Sequence, residues 1–290
     1  MSNDSPKSLF GVGVDVNLSV DDNSKEIIDK TGKPIYTTSE LLSDFLLWSL
    51  GWLPYKKEKK EIKRSIKFIK FCEKTDKKIK KIAPNKRINP PANLVGRIAE
   101  TSDFYFEDEN ISEMFSNLLS SSMNFDSLEH VQPSFVSVIK DLSSYDAMLL
   151  NDVLSKETFL PIAKIRLQIE SAVKLGFPDK FRSMKNGLDC LNHCFIADNN
   201  KLNIELTSRS LSNLERLGLI SINYSFFYTE SDAYDLLNTD EQLNALMSKY
   251  SDELESKRSK NDVYANSEIC LLPGMISITE YGKDFISICC

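Results

Sequence analysis

The sequence predicts a mainly α chain: an N-terminal and central helical bundle, then a winged-helix-like C-terminal module with a short antiparallel β element. Three observations predict it. "ENISEMFSNLLSSSMN" and "HVQPSFVSVIKDLSSYDAMLL" repeat apolar residues at helical spacing with short polar links between them. A lysine-rich run upstream carries an apolar stripe of the same period. From Thr207 onward the order is helix, glycine, strand, long excursion, strand, "T-x-x-G" and helix, the order of a winged helix-turn-helix.

The bulk numbers suit a folded chain. Its 290 residues are enough for one large domain or two modest ones, and 41% hydrophobic with 27% charged is an ordinary globular composition. The net charge of −6 excludes a chain built throughout for nucleic acid. No stretch approaches the roughly 20 apolar residues of a spanning helix. "MSNDSPKSLF" lacks the basic start and apolar core of a secretory signal, so a cytoplasmic protein is expected.

Four segments follow. Residues 1–37 form a variable N-terminal segment, where "FGVGVDVNLSV" reads as a short strand or a flexible tail. Residues 38–87 hold an apolar stretch around Trp48 and Trp52 and then a basic amphipathic helix. Between Tyr55 and Ile88 there are 15 Lys/Arg against 4 Asp/Glu, with Ile62, Ile66, Ile69, Cys72, Ile79 and Ile82 at helical spacing. Three readings stay open for it: a helix docked on the protein with its lysines solvated, a helix lying on an anionic membrane, or a surface for nucleic acid or another acidic partner. The contact candidates are Trp48, Trp52, Lys59, Lys63, Arg64, Lys67, Lys70, Lys74, Lys77 and Lys78.

Residues 88–158 form the helical bundle. "NPPANLVGRIAETS" opens a helix after two prolines, with Leu94, Val95, Ile98 and Ala99 on one face. Asn110 and Glu113 read as a capping-box-like pair before the stripe Ile111, Met114, Phe115, Leu118, Leu119 and Met123. Pro133 is placed for the first turn of a helix through Phe135, Val138, Ile139 and Leu142. Ser143 caps the next, with Ala147, Leu150 and Leu154 inward. His130, in the link "DSLEHVQPS", has no partner that sequence alone can name.

Residues 159–290 are the winged-helix-like domain, with a helical, acidic insertion at 223–273. "PIAKIRLQIESAV" suits either a strand or a helix, and Met184, Leu188, Leu191 and Phe195 suit a helix. Thr207 or Ser208 is the expected cap of the helix bearing Leu211, Leu214 and Leu217, and Gly218 ends it. "LISINYSF" is a strand, and a second passes through Ile276 and Ile278 before Thr279 caps the last helix. Arg209, Asn213 and Arg216 are the candidate winged-helix surface, but 8 acids against 1 lysine between Glu230 and Glu255 would repel phosphate.

The six cysteines are irregularly spaced. "CLNHC", with His193 between Cys190 and Cys194, lacks the fourth ligand that a structural zinc site needs. Buried thiols on a helix are expected, with no metal and no cofactor.

Several pieces together resemble the Abi-alpha family of bacterial abortive-infection proteins: "PPANLVGRIAE", "ENISEMFSNLLSSSMN", "HVQPSFVSVIKDLSSYDAMLL", "SLSNLERLGLI", "DAYDLL" and "ITEYGKDFISIC". The resemblance covers roughly residues 45–290. It implies an antiphage role and carries over packing and turn positions, among them Phe115, Asn117, His130, Pro133, Phe135, Gly218 and Gly282. It supplies no catalytic residues. Asn117, at the edge of its apolar stripe, is expected to join helices by hydrogen bonds.

These readings converge on a non-enzymatic protein that binds a partner: a second defence component, a phage protein, another copy of itself, or an anionic membrane surface at the inner membrane. Nucleic-acid binding by the C-terminal module is the alternative. A hydrolytic toxin would need converging acids; Glu107, Asp108 and Glu109 are dense but consecutive on a link.

Overall fold

The computed structural model describes residues 27–28, 34–35, 70–105, 108–156, 159–169, 173–176, 180–183, 186–197, 202–230, 232–259 and 264–290. Trp48, Trp52, Lys59, Lys63, Arg64, Lys67 and Glu107 lie outside these residues, as does the strand read in "FGVGVDVNLSV".

The helical half follows the apolar stripes. Helix α1, described over residues 70–79, turns Phe71, Cys72, Thr75 and Ile79 inward. Helix α2 (Ala92–Tyr105) buries Leu94 and Ile98, and α3 (Glu109–Ser122) buries Ile111, Met114, Phe115, Leu118 and Leu119. Each such side chain contributes about 1.5–3 kcal/mol through lost apolar exposure. The cap of α3 is Asp108, not the expected Asn110: its carboxylate accepts from the N–H groups of Asn110 at 2.9 Å and Ile111 at 3.3 Å. Helix α4 (Phe135–Asp141) starts two residues after Pro133, and α5 (Ser144–Met148) opens with a capping box between Ser143 and Asp146.

The C-terminal half departs from the expected fold. Both segments left ambiguous or read as helical are strands. Strand β1 (Phe159–Gln168) and β2 (Gly187–Cys194) join β3 (Ile220–Asn223) and β4 (Glu268–Ile278) in one antiparallel sheet of order β2-β1-β4-β3. The chain is therefore mixed α and β, and the mainly α reading with a winged-helix end is overturned. In a winged helix the last strand pairs with its predecessor; here β4 runs against β1 from Phe159↔Ser277 to Gln168↔Glu268 and meets β3 only over Met275 to Ile278. Cys190 and Cys194 accordingly sit on a strand, not on the expected helix.

Pro273 explains why β4 is longer than expected. A proline cannot donate to a ladder, so it reads as a strand break. The β3 pairing begins only at Met275, so Pro273 has no described neighbour on that side and needs no N–H there.

Helix α6 (Ile204–Arg216) precedes β3, α7 (Asp235–Thr239) and α8 (Glu241–Arg258) fill the excursion, and α9 (Glu280–Cys289) closes the fold. The α6 cap is Asn203, whose side chain accepts from Leu206 N–H at 2.9 Å, one turn ahead of the expected Thr207. Gly218 ends the helix at φ 74°, the left-handed conformation that a Cβ disfavours. Thr279 caps α9 through Gly282 N–H at 2.8 Å, as expected.

Two cores sandwich the sheet. One runs from Phe71 to Cys289 and joins the helical bundle, α6 and α9 to Ile162, Ile220 and Ile276. The other packs Leu237 of α7 and Leu243 of α8 on the opposite sheet face with Ala163, Ile165 and Leu271.

Candidate functional site

The basic helix is the first place to look, and its docking is plain. The apolar side of α1 lies in the bundle core, where Thr75 Oγ1 donates to Phe71 O at 2.8 Å and lies 3.1 Å from Ser116 Oγ of α3. Lys74 reaches Glu109 at 2.9 Å and Glu113 at 3.5 Å, while Lys78 reaches Glu113 and Asn117. Burial opposes the charge of Glu113, yet the hydrogen bonds and charges of Lys78 and Lys74 outweigh it and hold its carboxyl below the usual range. Lys70, Lys77, Lys80 and Lys81 are exposed, with Lys80 paired to Asp76 along the helix.

The residues offered as a winged-helix surface are turned to structural work in part. Asn213 donates to Asp141 O and to Asp146 Oδ2, each at 2.9 Å, and Arg216 reaches Asn213 Oδ1 at 2.8 Å and Asp141 at 3.3 Å. Arg209 is exposed on α6. Asp146 is almost fully buried and also accepts from Ser143 N–H at 2.8 Å and from the Ser210 hydroxyl, so it welds α5 to α6.

Among the family-motif positions Phe115 and Phe135 lie in the core, while His130, Pro133 and Gly218 are exposed. Phe135 lies between Tyr281 and Phe285 of α9, with ring centroids 5.3 Å away in each case. Phe115 takes Tyr105 edge-on at 6.3 Å. Asn117 joins helices as expected: its amide donates to Cys289 O at 2.9 Å and Cys290 O at 3.2 Å. His130 does have a partner that the sequence could not name, Asp284 on α9 at 3.1 Å, in an exposed pair.

Sequence reasoning missed a polar cluster on the sheet. His193, at the end of β2, has φ 54°, a left-handed backbone uncommon for non-glycine residues, though histidine adopts it more readily than most. Its N–H donates to the Tyr224 hydroxyl at 3.1 Å, and its Nδ1 is 3.1 Å from the same oxygen. Tyr224 follows β3, the opposite edge strand, so the sheet curls enough for its two edges to meet. Between them Gly274 of β4 lies under the phenol ring: a Cβ there would be 2.6 Å from Tyr224 Cδ1. Lys164 Nζ stands 4.5 Å from the ring centroid and pairs with Asp189 at 2.8 Å, and Arg166 pairs with the other oxygen of Asp189 at 2.9 Å. The side chains of Lys164, Arg166 and His193 are 13%, 15% and 12% exposed.

Burial lowers the His193 pKa, helped by Lys164 and opposed by Glu215, whose Oε2 is 4.0 Å from Nε2. The only sequence signal for this cluster was the histidine in "CLNHC", which the flanking cysteines made look like an incomplete metal site. Burial pushes the Cys194 thiol up to about 12. Among the described residues no three His, Cys, Asp or Glu side chains converge as metal ligands.

The family model described as abortive infection alpha matches residues 63–289. The chain belongs to the abortive infection alpha family. No curated protein and no solved structure matches it. The match begins within the basic segment and ends in α9, so α1, the bundle, the sheet and the His193 cluster all fall inside the abortive infection alpha region. Among the described residues no helix of this family member is long and apolar enough to cross a membrane.

Proposed function

We propose that the protein serves in abortive infection by binding, and that the outward lysines of α1 take an acidic protein partner. The observation supporting this reading is the orientation of α1. Its apolar side is committed to the bundle core, and Lys74 and Lys78 are committed to Glu109, Glu113 and Asn117. What the helix and the turn after it offer outward is charge, from Lys70, Lys77 and Lys81. A helix lying in a lipid interface needs an apolar face to insert, and Phe71, Cys72 and Ile79 are already buried. With a net charge of −6 the chain repels a long nucleic-acid backbone that extends beyond this patch, whereas a compact acidic segment need not extend past it.

The test reverses the charge. Lys70→Glu, Lys77→Glu and Lys81→Glu are combined, and wild type and variant are purified from phage-challenged cells at about 50 mM and about 500 mM salt. The reading expects an acidic protein bound to wild type at low salt, released at high salt, absent from the variant, with protection lost in parallel. Full protection by a folded variant overturns it. Nucleic acid or lipid recovered in place of protein also overturns it and assigns the lysines to that partner.

A further inference from the structure

We propose that His193, Tyr224 and Glu215 form an acid-released latch that holds the two edges of the curled sheet together over the Lys164–Asp189–Arg166 cluster. The argument begins with proton placement. The Tyr224 oxygen accepts from His193 N–H at 3.1 Å and still carries its own proton. The acceptor within reach is His193 Nδ1, also at 3.1 Å. The closed latch thus needs a neutral imidazole with Nδ1 bare and its proton on Nε2, facing Glu215 Oε2 at 4.0 Å. A second proton on Nδ1 takes away the phenol's acceptor: the oxygen can then only accept, and its own proton is left to find another partner in a buried site. That loss weakens the closure, while the imidazolium is drawn to Glu215, whose Oε1 is fixed by Ile222 N–H at 3.0 Å.

Every charged neighbour enters the balance. Glu215 on α6 favours the imidazolium, and Lys164 on β1 opposes it. Asp189 on β2 offsets Lys164 at 2.8 Å, and the Cys194 thiol beside the histidine stays neutral. Burial is the largest influence and disfavours the charge. The closed state therefore binds a proton less readily than an opened one, and by linkage acid shifts the population toward opening. The latch is fully held above the ordinary histidine value of about 6.5 and weakens as pH falls toward the lowered one. Opening also frees the His193 backbone from its left-handed conformation and lifts the phenol from Gly274 and Lys164.

Hydrogen exchange on the full chain at about pH 8 and about pH 5.5, corrected for intrinsic rates, tests this. Exchange at residues 187–194 and 220–224 is expected to quicken at the lower pH, by up to about tenfold for each pH unit by which His193 is lowered, while α3 stays unchanged. His193→Asn tolerates the left-handed backbone and does not titrate, so its exchange at these strands loses the pH response. In Tyr224→Phe the strands exchange faster already at pH 8. With 2 histidines in the chain, a His130→Asn control assigns the titration. Equal exchange of wild type at both pH values, a response retained in His193→Asn, or quickening spread equally over α3 each overturns the latch.

Discussion

Asn117 of α3 donates its side-chain amide to the Cys289 carbonyl at 2.9 Å, joining residues 172 positions apart, while its carbonyl accepts from Lys78 of α1. One side chain thus pins three helices, and its contact with the last turn of α9 satisfies a carbonyl that the helix itself leaves unpaired. Asn117→Ala leaves that carbonyl and the part-buried lysine without it. The expected loss is about 1–2 kcal/mol in urea unfolding, with no change in the slope.

Asp146→Ala is the more severe change. It removes a cap and leaves the donors of Ser210, Asn213 and Ser143 facing a small void. About 3 kcal/mol of destabilisation is expected, and Asp146→Asn recovers part of it by keeping the shape and one acceptor. Chemical denaturation of the three proteins checks the order.

Gly274→Ala sets a methyl group against the Tyr224 ring and Asn223 O, the latter 2.6 Å from where the new Cβ would sit. The ring must move, and β3 must shift to relieve the Asn223 oxygen as well. A cost of about 1–3 kcal/mol is expected, with changed tyrosine fluorescence and little further loss when Tyr224→Ala is added. Unchanged tyrosine fluorescence in Gly274→Ala would refute the crossing of ring and glycine, since the Asn223 oxygen alone would then take the strain.

The Glu113 carboxyl, held down by Lys78 and Lys74, contributes stability that is present above its ordinary value of 4.5 and is lost as pH falls through the lowered one. Glu113→Gln is therefore less stable than wild type at neutral pH, by about 0.5–1 kcal/mol for a pair this open to solvent. The two converge in acid once the carboxyl is protonated. Thermal melts across that range test the convergence.

Thiol reactivity follows burial. Cys72, Cys194 and Cys270 are buried, each pushed up to about 12, and Cys289 is fully enclosed. Cys290 is exposed. A thiol reagent added to the native protein is expected to label Cys290 first and the four buried residues only on unfolding, which mass mapping of the labelled peptides would show.

The helices were legible because a stripe such as Ile111, Met114, Phe115 and Leu118 has a single solution once one face must be buried. The sheet was not. Strand β1 does alternate at Ala163, Ile165 and Leu167, but Ile162, Ile165 and Ile169 also fit a helical stripe, so the pattern alone left both readings open. Leu188, Leu191 and Phe195 fall at helical spacing by coincidence, because a bulge shifts the register between β1 and β2 and Asp189 and His193 turn toward the polar cluster. The latch was hidden for a different reason: Tyr224 and His193 are neighbours only because the sheet curls, and no local pattern encodes that.

The pairing of β1 with β4 also bears on how the chain is made. Its partners are on the order of a hundred residues apart, so β1 leaves the ribosome long before β4 exists. Until β4 is synthesised, Ile162, Ile165 and Leu167 have no strand on that flank, and the nascent chain carries a sticky ribbon through the whole interval. Exposure to aggregation and to chaperones during synthesis is the expected consequence of that wiring, independent of how stable the finished molecule is.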